Sequence, residues 1–539
     1  MAALYGLAPV GIDTQRSDNR TLSHRAGKIP WLLLVILALA SFLRIFGLGS
    51  EGLWFDEINT VLISEKGLVS IIQACNNIDT HPPLYYVILH FWMALFGRSD
   101  AVLQSLSAFF GIISVLLIYR LGYELFDRNT GLVASFLLAI SYLAVVQSQE
   151  VRMYSLLLLL SILSFLFYVR ILKADKRTRT YLICYSLSNI LLCYTHIYGL
   201  LIIGSQVLYF VLFRRIYAKA ASIFWGAQAA TLVSFSPWIF VVVTSIGPRV
   251  ASMCSEAPKP SLSTIVSSLS EFAGYDPLNP LLLLFFLFLC LVGVLYFPKA
   301  RQRRGVEKPP QAKRQMILGI SIRKPKTALL LVWFFSPLVV CLIISFTFRP
   351  LFAAKYLIGI TPALYLLTAR GINNIDSFVS SYIMRVNVAL ALVAVVALWS
   401  LPGLHRYYAW PTQEQWREAA DFVEQNSEAS DVVVVCPEGY RQCFDYYYDG
   451  DLERLGISST VAQDGELKRF VDAATRGKER LWLVLLTFGE VRDAPIKPYL
   501  FTRYQGNLIV EEEFALVTAY LFDIPEPEGK ELGGNYSDG

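Results

Sequence analysis

Residues 31–48 read WLLLVILALASFLRIFGL, and 52–57 follow as GLWFDE. The first stretch is long and apolar enough to cross a bilayer as a helix, which takes about 18–20 such residues. The second sets an acidic pair, Asp56-Glu57, just beyond its end. Carboxylates are costly near lipid, so acids held at a membrane mouth point to chemistry at that face. A second polar run, Gln149-Glu150-Val151-Arg152-Met153-Tyr154, lies between two later apolar runs and repeats the pattern.

Outward from these stretches, the composition agrees. The 539-residue chain is 55% hydrophobic and 17% charged, with a mean hydropathy of +0.49. Soluble chains carry about a quarter charged residues. Apolar runs recur through the first 400 positions, which predicts a polytopic α-helical membrane protein in contact with membrane lipids. A membrane barrel would alternate polar and apolar residues in segments of about ten, and these runs do not alternate. The net charge of +5 comes from basic residues in loops between spans, where they orient the chain rather than bind nucleic acid. Eight cysteines show no metal-type spacing. Cys184, Cys193, Cys290 and Cys341 lie in apolar runs as small hydrophobes. Cys436 and Cys443 fall in the polar tail and pair only if that tail is outside the cytoplasm and their geometry allows it.

Positive charge assigns the sides. Arg16, Arg20, Arg25 and Lys28 make residues 1–29 a cytoplasmic tail, and with no cleavage site following, 31–48 is a retained anchor. The loops 171–180, 214–219 and 298–326 are cytoplasmic by the same rule; the last carries ten Lys or Arg against one Glu. If the runs 82–97, 102–119, 130–147 and 153–172 all crossed, 171–180 would end outside. The run 82–97, opened by His81-Pro82-Pro83 and interrupted by His90, is therefore expected to be a surface or re-entrant helix. Glu150 and Arg152 then reach the same outer face as Asp56. Further spans are expected near 181–196, 198–213, 221–245, 280–297, 327–347, 354–370 and 386–401, about 11 transmembrane helices in all. They form a transmembrane domain over 30–403. From Leu404 the composition changes: an amphipathic helix at 414–426 and strands at 431–436 and 481–486 predict a small C-terminal extracytoplasmic α/β domain over 404–525. Residues 526–539, rich in Gly, Glu and Pro, are expected to be disordered.

Asp56 and Glu57 have a plain reading as acids in the first turn of a helix. Their functional reading is a general base plus an orienting partner, with Asp56 as the base. Glu150 and Arg152 read either as an interfacial ion pair or as a second carboxylate and an anion-holding guanidinium across a cavity. His81 is a candidate for phosphate or metal, and His196, at a span end, for metal; both are lone histidines. Arg349 and Lys355 are cations on the face where cations are disfavoured, which an anionic headgroup or phosphate would explain. Trp54, Tyr85, Tyr86, Tyr154 and Tyr356 are expected to line a sugar or prenyl groove, or else to belong to the interfacial aromatic belt. No cofactor follows from the sequence, and a divalent metal stays open.

Asp56-Glu57 after the first span, His81-Pro-Pro-Leu-Tyr-Tyr86 closing its loop, and Ser148-Gln-Glu-Val-Arg-Met-Tyr-Ser155 at the next external turn occur in one order. This ordered set resembles the C-type glycosyltransferases, in the protein O-mannosyltransferase-like and lipid A aminoarabinose transferase-like branch, over roughly 30–370. The resemblance implies a polyprenyl-phosphate-linked sugar as donor and inverting transfer to an acceptor outside the cytoplasmic membrane or in the ER lumen; a prokaryotic cytoplasmic membrane is expected here. It implies Asp56 as catalytic base, Glu57 as its acidic partner, Glu150 and Arg152 in the second loop, and a basic residue near 355 at the donor phosphate. Two departures stand out. Lys355-Tyr356-Leu357 replaces the Arg-Tyr-Leu of many relatives, which leaves a point charge in place of a forked clamp. His81 stands where the aminoarabinose transferases carry Lys. The acceptor, whether protein, lipid or glycan, is not legible. A multispan lipid or sugar transporter is a rival, but it would bury its acids mid-span on broken helices. An oligosaccharide polymerase or ligase is another, though Arg249 is the only Arg in the loop 246–279. A structural or sensor protein whose C-terminal part binds wall material is a third.

Overall fold

The computed structural model describes residues 30–525 except 78, 174–177, 248–258, 275–278, 297–318, 321–324, 348–351, 383–386, 461–463 and 489–493. The N-terminal tail, the expected disordered end and Arg349 lie outside the described residues.

Helix α1 (Trp31–Ile45) leads through a loop into α2 (Phe55–Ser64), and α3 (Leu68–Asn77) and α4 (Leu84–Phe96) follow. At 13 residues α4 is about 20 Å long, short of a hydrocarbon layer of about 30 Å. Next come α5 (Asp100–Leu125), α6 (Arg128–Ala139), α7 (Tyr142–Gln149) and α8 (Tyr154–Leu172). Among the described residues five helices are long and apolar enough to cross a membrane, or six if α6 and α7 count as one. The chain is an integral membrane protein of mostly helical build. The figure of eleven crossings rests on shorter apolar helices such as Trp31–Ile45, Gly199–Leu212 and Pro280–Val294 also crossing.

The run 130–147, expected to be one straight span, is broken. Helices α6 and α7 meet at 56°, because Ser141 caps α7 by accepting from the Ala144 amide at 3.3 Å. The last carbonyls of α6 then lack helical partners. Arg44 of α1, fully buried, supplies them: Nη1 donates to Ala139 O at 2.9 Å and Nη2 to Leu138 O at 3.0 Å. Gly111 of α5 makes room, since a Cβ there would sit 2.9 Å from Arg44 Nε and collide with Ser148 Oγ. The break turns α7 so that its end, Gln149-Glu150, reaches the loop after α1, where Gln149 Nε2 donates to Phe46 O at 2.7 Å. Two other elements differ from expectation at their ends. The run 354–370 opens as a 3₁₀ turn, Ala354–Ile360, before the helix Thr361–Tyr382. The last apolar helix runs Val388–Ala409, past the composition change at Leu404.

The C-terminal sheet has β1 (Asp431–Cys436), β2 (Glu453–Gly456), β3 (Arg480–Leu486), β4 (Leu508–Phe514) and β5 (Val517–Asp523) in the order β2-β1-β3-β5-β4. The first three are parallel and the last two join antiparallel. Strands β1 and β3 are buried on both faces, as continuous apolar runs in parallel sheets are. One face, with Val433, Val435, Trp482 and Val484, shares its core with the membrane helices, and the other, with Val432, Val434, Leu481 and Leu483, has its own. Cys436 and Cys443 are buried free thiols, so no disulfide forms between them.

Candidate active site

The acidic pair sits in the first turn of α2, and its two members part company there. Glu57 is 2% exposed. Its Oε2 accepts from the Trp54 amide at 3.2 Å and its Oε1 from the Val151 amide at 2.6 Å. It closes the helix start as the N3 residue of a capping box does, and also pins the second polar loop to the first. Burial, reinforced by the charge of Glu150, pushes its carboxyl well above the usual carboxylate range. Asp56, about 100° further round the helix, turns a 33% exposed carboxylate outward.

Two cations meet that carboxylate. Arg152 Nη2 lies 3.8 Å from Asp56 Oδ2, and Lys355 Nζ lies 4.0 Å from the same atom. Arg152 is buried and held by its Nη1, which donates to Asp56 O at 3.0 Å and Thr60 Oγ1 at 2.8 Å. Lys355, on the Ala354–Ile360 turn, is partly exposed, with Nζ 5.1 Å from the Trp54 ring centre, 5.6 Å from Tyr154 and 5.9 Å from Tyr356. Three ring faces thus stabilise the ammonium without neutralising it.

His81 borders this cluster through His196, their ring centres 5.2 Å apart; the His196 ring is in turn 5.9 Å from Tyr154 and 5.5 Å from Tyr356. His81 Nδ1 is 2.7 Å from Asp79 Oδ1, and Asp79 also accepts from Tyr86 Oη at 2.7 Å. Burial works against the Asp79 carboxylate, but the charge and hydrogen bond of His81 outweigh it and hold Asp79 far below the usual range. Burial, then the charge of His81, keeps His196 well below the usual imidazole range, and its Nδ1 accepts from the Tyr198 amide at 3.2 Å. Among the described residues no three His, Cys, Asp or Glu side chains are grouped as a metal site.

Tyr85 and Tyr86 do not line a groove. Both are fully buried on α4, with Tyr85 Oη 2.8 Å from Ser107 Oγ and Tyr86 spent on Asp79. Tyr154 is buried as well and reaches the site through its ring, beside Lys355 and Arg152. Trp54 and Tyr356 are partly exposed.

Glu150 faces the other way. Gln147 Nε2 donates to its Oε1 at 3.1 Å, while its Oε2 has no hydrogen-bond partner among the described residues. Burial raises its carboxyl against the pull of Lys355 and Arg152. It lines a cavity of about 810 Å³ together with Gln147, Glu271, Tyr407 and Trp410. A smaller cavity of about 220 Å³ shares Glu150 and Tyr407 and reaches Glu51 and Glu57.

Several residues here carry no role in the sequence reading. Asp79 stood two places before His81 and could have been noticed as its partner. Glu271 stood in the expected outer loop 246–279. Glu414, Arg417 and Tyr447 gave no local signal, yet they hold the loop before α2. Tyr447 Oη accepts from the Leu53 amide at 2.6 Å, and Glu414 Oε2 from the Phe55 amide at 3.3 Å. Arg417 donates to Gly49 O at 3.1 Å and Ser50 O at 2.6 Å and pairs with Asp100 at 3.2 Å. The Phe55 ring packs 4.4 Å from that of Tyr440.

Residues 80–240 match the family described as dolichyl-phosphate-mannose-protein mannosyltransferase. No curated protein matches the sequence. The fold is similar to that of ArnT from Cupriavidus metallidurans in the apo state, at 13% identity and a TM-score of 0.55, covering 91% of this chain and 97% of that one. The same protein bound to undecaprenyl phosphate gives 12% identity and 0.54, with the same coverage. The Archaeoglobus fulgidus oligosaccharyltransferase, in complex with Zn and sulfate, gives 11% identity and 0.52 over 91% of this chain and 72% of that one. The likeness to C-type glycosyltransferases that the ordered motifs carry is thus met by a family match and, separately, by the fold.

Proposed function

We propose that this chain is a membrane glycosyltransferase that moves a sugar from a polyprenyl-phosphate donor to an extracytoplasmic acceptor, with inversion. One observation carries the reading: the outward carboxylate of Asp56 has two cations, Arg152 and Lys355, within 4.0 Å on one side. The bound undecaprenyl phosphate of ArnT and the dolichol-phosphate of the archaeal oligosaccharyltransferase support the donor class.

The step is one displacement. Asp56 takes the proton of an acceptor hydroxyl, the acceptor oxygen bonds to the anomeric carbon, and the bond from that carbon to the phosphate oxygen breaks. The electron pair leaves with the phosphate. This leaving group is already an anion and needs no proton, so Lys355 and Arg152 serve by matching the charge that grows on it. Glu57, its oxygens spent on two amides, positions Asp56 and the Val151 turn. His81, held by Asp79, borders the phosphate side. The outward face of this site is taken as extracytoplasmic, with the N-terminus inside and residues 404–525 outside.

In proteoliposomes with a synthetic polyprenyl-phosphate sugar, Asp56→Asn is expected to slow transfer about 10²–10⁴-fold, the span of general-base catalysis, with donor binding retained. Transfer at the wild-type rate in that variant would overturn the assignment. A transporter would instead carry substrate across the vesicle wall with no donor consumed.

A further inference from the structure

We propose that the cavity bounded by α7, the Glu271 turn and the end of the Val388–Ala409 helix is the acceptor site, and that its occupant is a neutral carbohydrate held through its hydroxyls. The inference rests on the transferase reading and names the acceptor class that reading leaves open.

At about 810 Å³ the cavity has the size of a small-molecule site, about 300–1,000 Å³. Its buried polar atoms are mostly acceptors. Among the described residues, Gln147 Oε1 and Glu150 Oε2 are both buried with no hydrogen-bond partner, although both side chains line the cavity. The amide nitrogen of Gln147 is spent on Glu150 Oε1. Buried acceptors left without donors are costly, so a ligand that brings O–H or N–H groups relieves both. The Glu271 carboxylate adds a third acceptor to the lining. Burial pushes its carboxyl up to about 7, with Lys355 opposing and Glu150 reinforcing.

The wall also selects against other acceptors. Two carboxylates repel a phosphate-bearing headgroup. Arg406, also in the lining, disfavours a cationic ligand. What fits both is a neutral molecule rich in hydroxyls. Tyr142, Tyr407 and Trp410 supply flat apolar faces for sugar C–H groups, and Trp410 stands 67% exposed at the mouth. The site is joined to the chemistry through Glu150, whose carboxyl feels both Asp56 and Lys355.

The test uses the full chain in nanodiscs without donor, with binding read by calorimetry. The probes are maltotriose and chitotriose, against glycerol 3-phosphate, ethanolamine and a threonine-containing peptide. A neutral glycan is expected to bind, and Trp410→Ala and Glu271→Gln each to weaken it about tenfold, the scale of one aromatic contact or charged hydrogen bond. Trp410 is exposed, so its removal keeps the fold. Binding of glycerol 3-phosphate, ethanolamine or peptide in place of a glycan overturns the proposal, as does failure of both glycans to bind or glycan binding indifferent to both substitutions. Asp56-dependent release of polyprenyl phosphate, read separately, tests the transferase reading, so the two failures are told apart.

Discussion

Around Asp56 the site wall is cationic and aromatic: Arg152 and Lys355, with Trp54, Tyr154 and Tyr356 about the ammonium. Around Glu271 it is made of acceptors, with Glu150 and Gln147 offering oxygens that have no hydrogen-bond partner among the described residues. Both walls draw on one short segment. Gln147 and Glu150 face the acceptor-rich side and Arg152 the cationic side, the chain reversing where the Arg152 amide bonds to Glu150 O at 2.8 Å. A displacement needs such a division: a place that favours a departing anion next to one that receives a hydroxyl. A single turn contributes to both here, and Lys355 and Glu271 are brought to it by other elements.

The sharpest way to break this division is at Arg152. Arg152→Met removes the buried cation, and transfer is expected to fall about 10²–10³-fold, as when one preorganised transition-state donor is lost. Thr60 Oγ1 loses its donor and Asp56 O one of its two side-chain donors, so the melting temperature falls too. Unchanged transfer, with folding intact, would remove Arg152 from the mechanism and leave Lys355 as its cation. A smaller effect sharpens the other wall. Glu271 has its carboxyl raised to about 7, so it is neutral below that pH and a carboxylate above it. The charged form is the stronger acceptor, and glycan affinity is expected to rise a few-fold between about pH 6 and pH 8. Glu150, also raised by burial, contributes to the profile, and Glu271→Gln isolates it by flattening the step near 7. If the profile is the same in that variant, Glu271 does not face the ligand. The smallest effect lies behind both walls. Arg417→Ala frees the Gly49 and Ser50 carbonyls and the Asp100 partner. Partly exposed pairs of this kind are worth about 0–1 kcal/mol, so turnover is expected to drop a few-fold with donor affinity unchanged.

Asp56, Glu150, Arg152 and Lys355 were legible in the sequence because charged residues at the ends of apolar runs stand out against lipid. The demotion of 82–97 brought the first three to one face, and in the structure Asp56 and Arg152 do meet. Tyr85 and Tyr86 were misread because tyrosine serves equally in an interfacial belt and in a core whose hydroxyl finds a partner; Ser107 and Asp79 are those partners. The break in 130–147 left no trace in hydropathy. It depends on Arg44, about 95 residues away in sequence, and no Gly or Pro marks it. Glu414, Arg417 and Tyr447 were hidden for the same reason, since their partners lie more than 300 positions earlier.

Those three side chains hold the loop through its peptide groups: the amides of Leu53 and Phe55 and the carbonyls of Gly49 and Ser50. Recognition of backbone is blind to side-chain identity. The loop that leads to Asp56 can therefore change sequence through evolution while the C-terminal unit keeps its hold, provided the path of the chain is kept. A chimera that carries a relative's C-terminal unit would need the same loop length between α1 and α2 rather than the same residues. Gly47, Gly49 and Gly52 are the exceptions: the first two hold φ of 79° and 76°, and a Cβ on Gly52 would lie 3.0 Å from Arg417 Cβ.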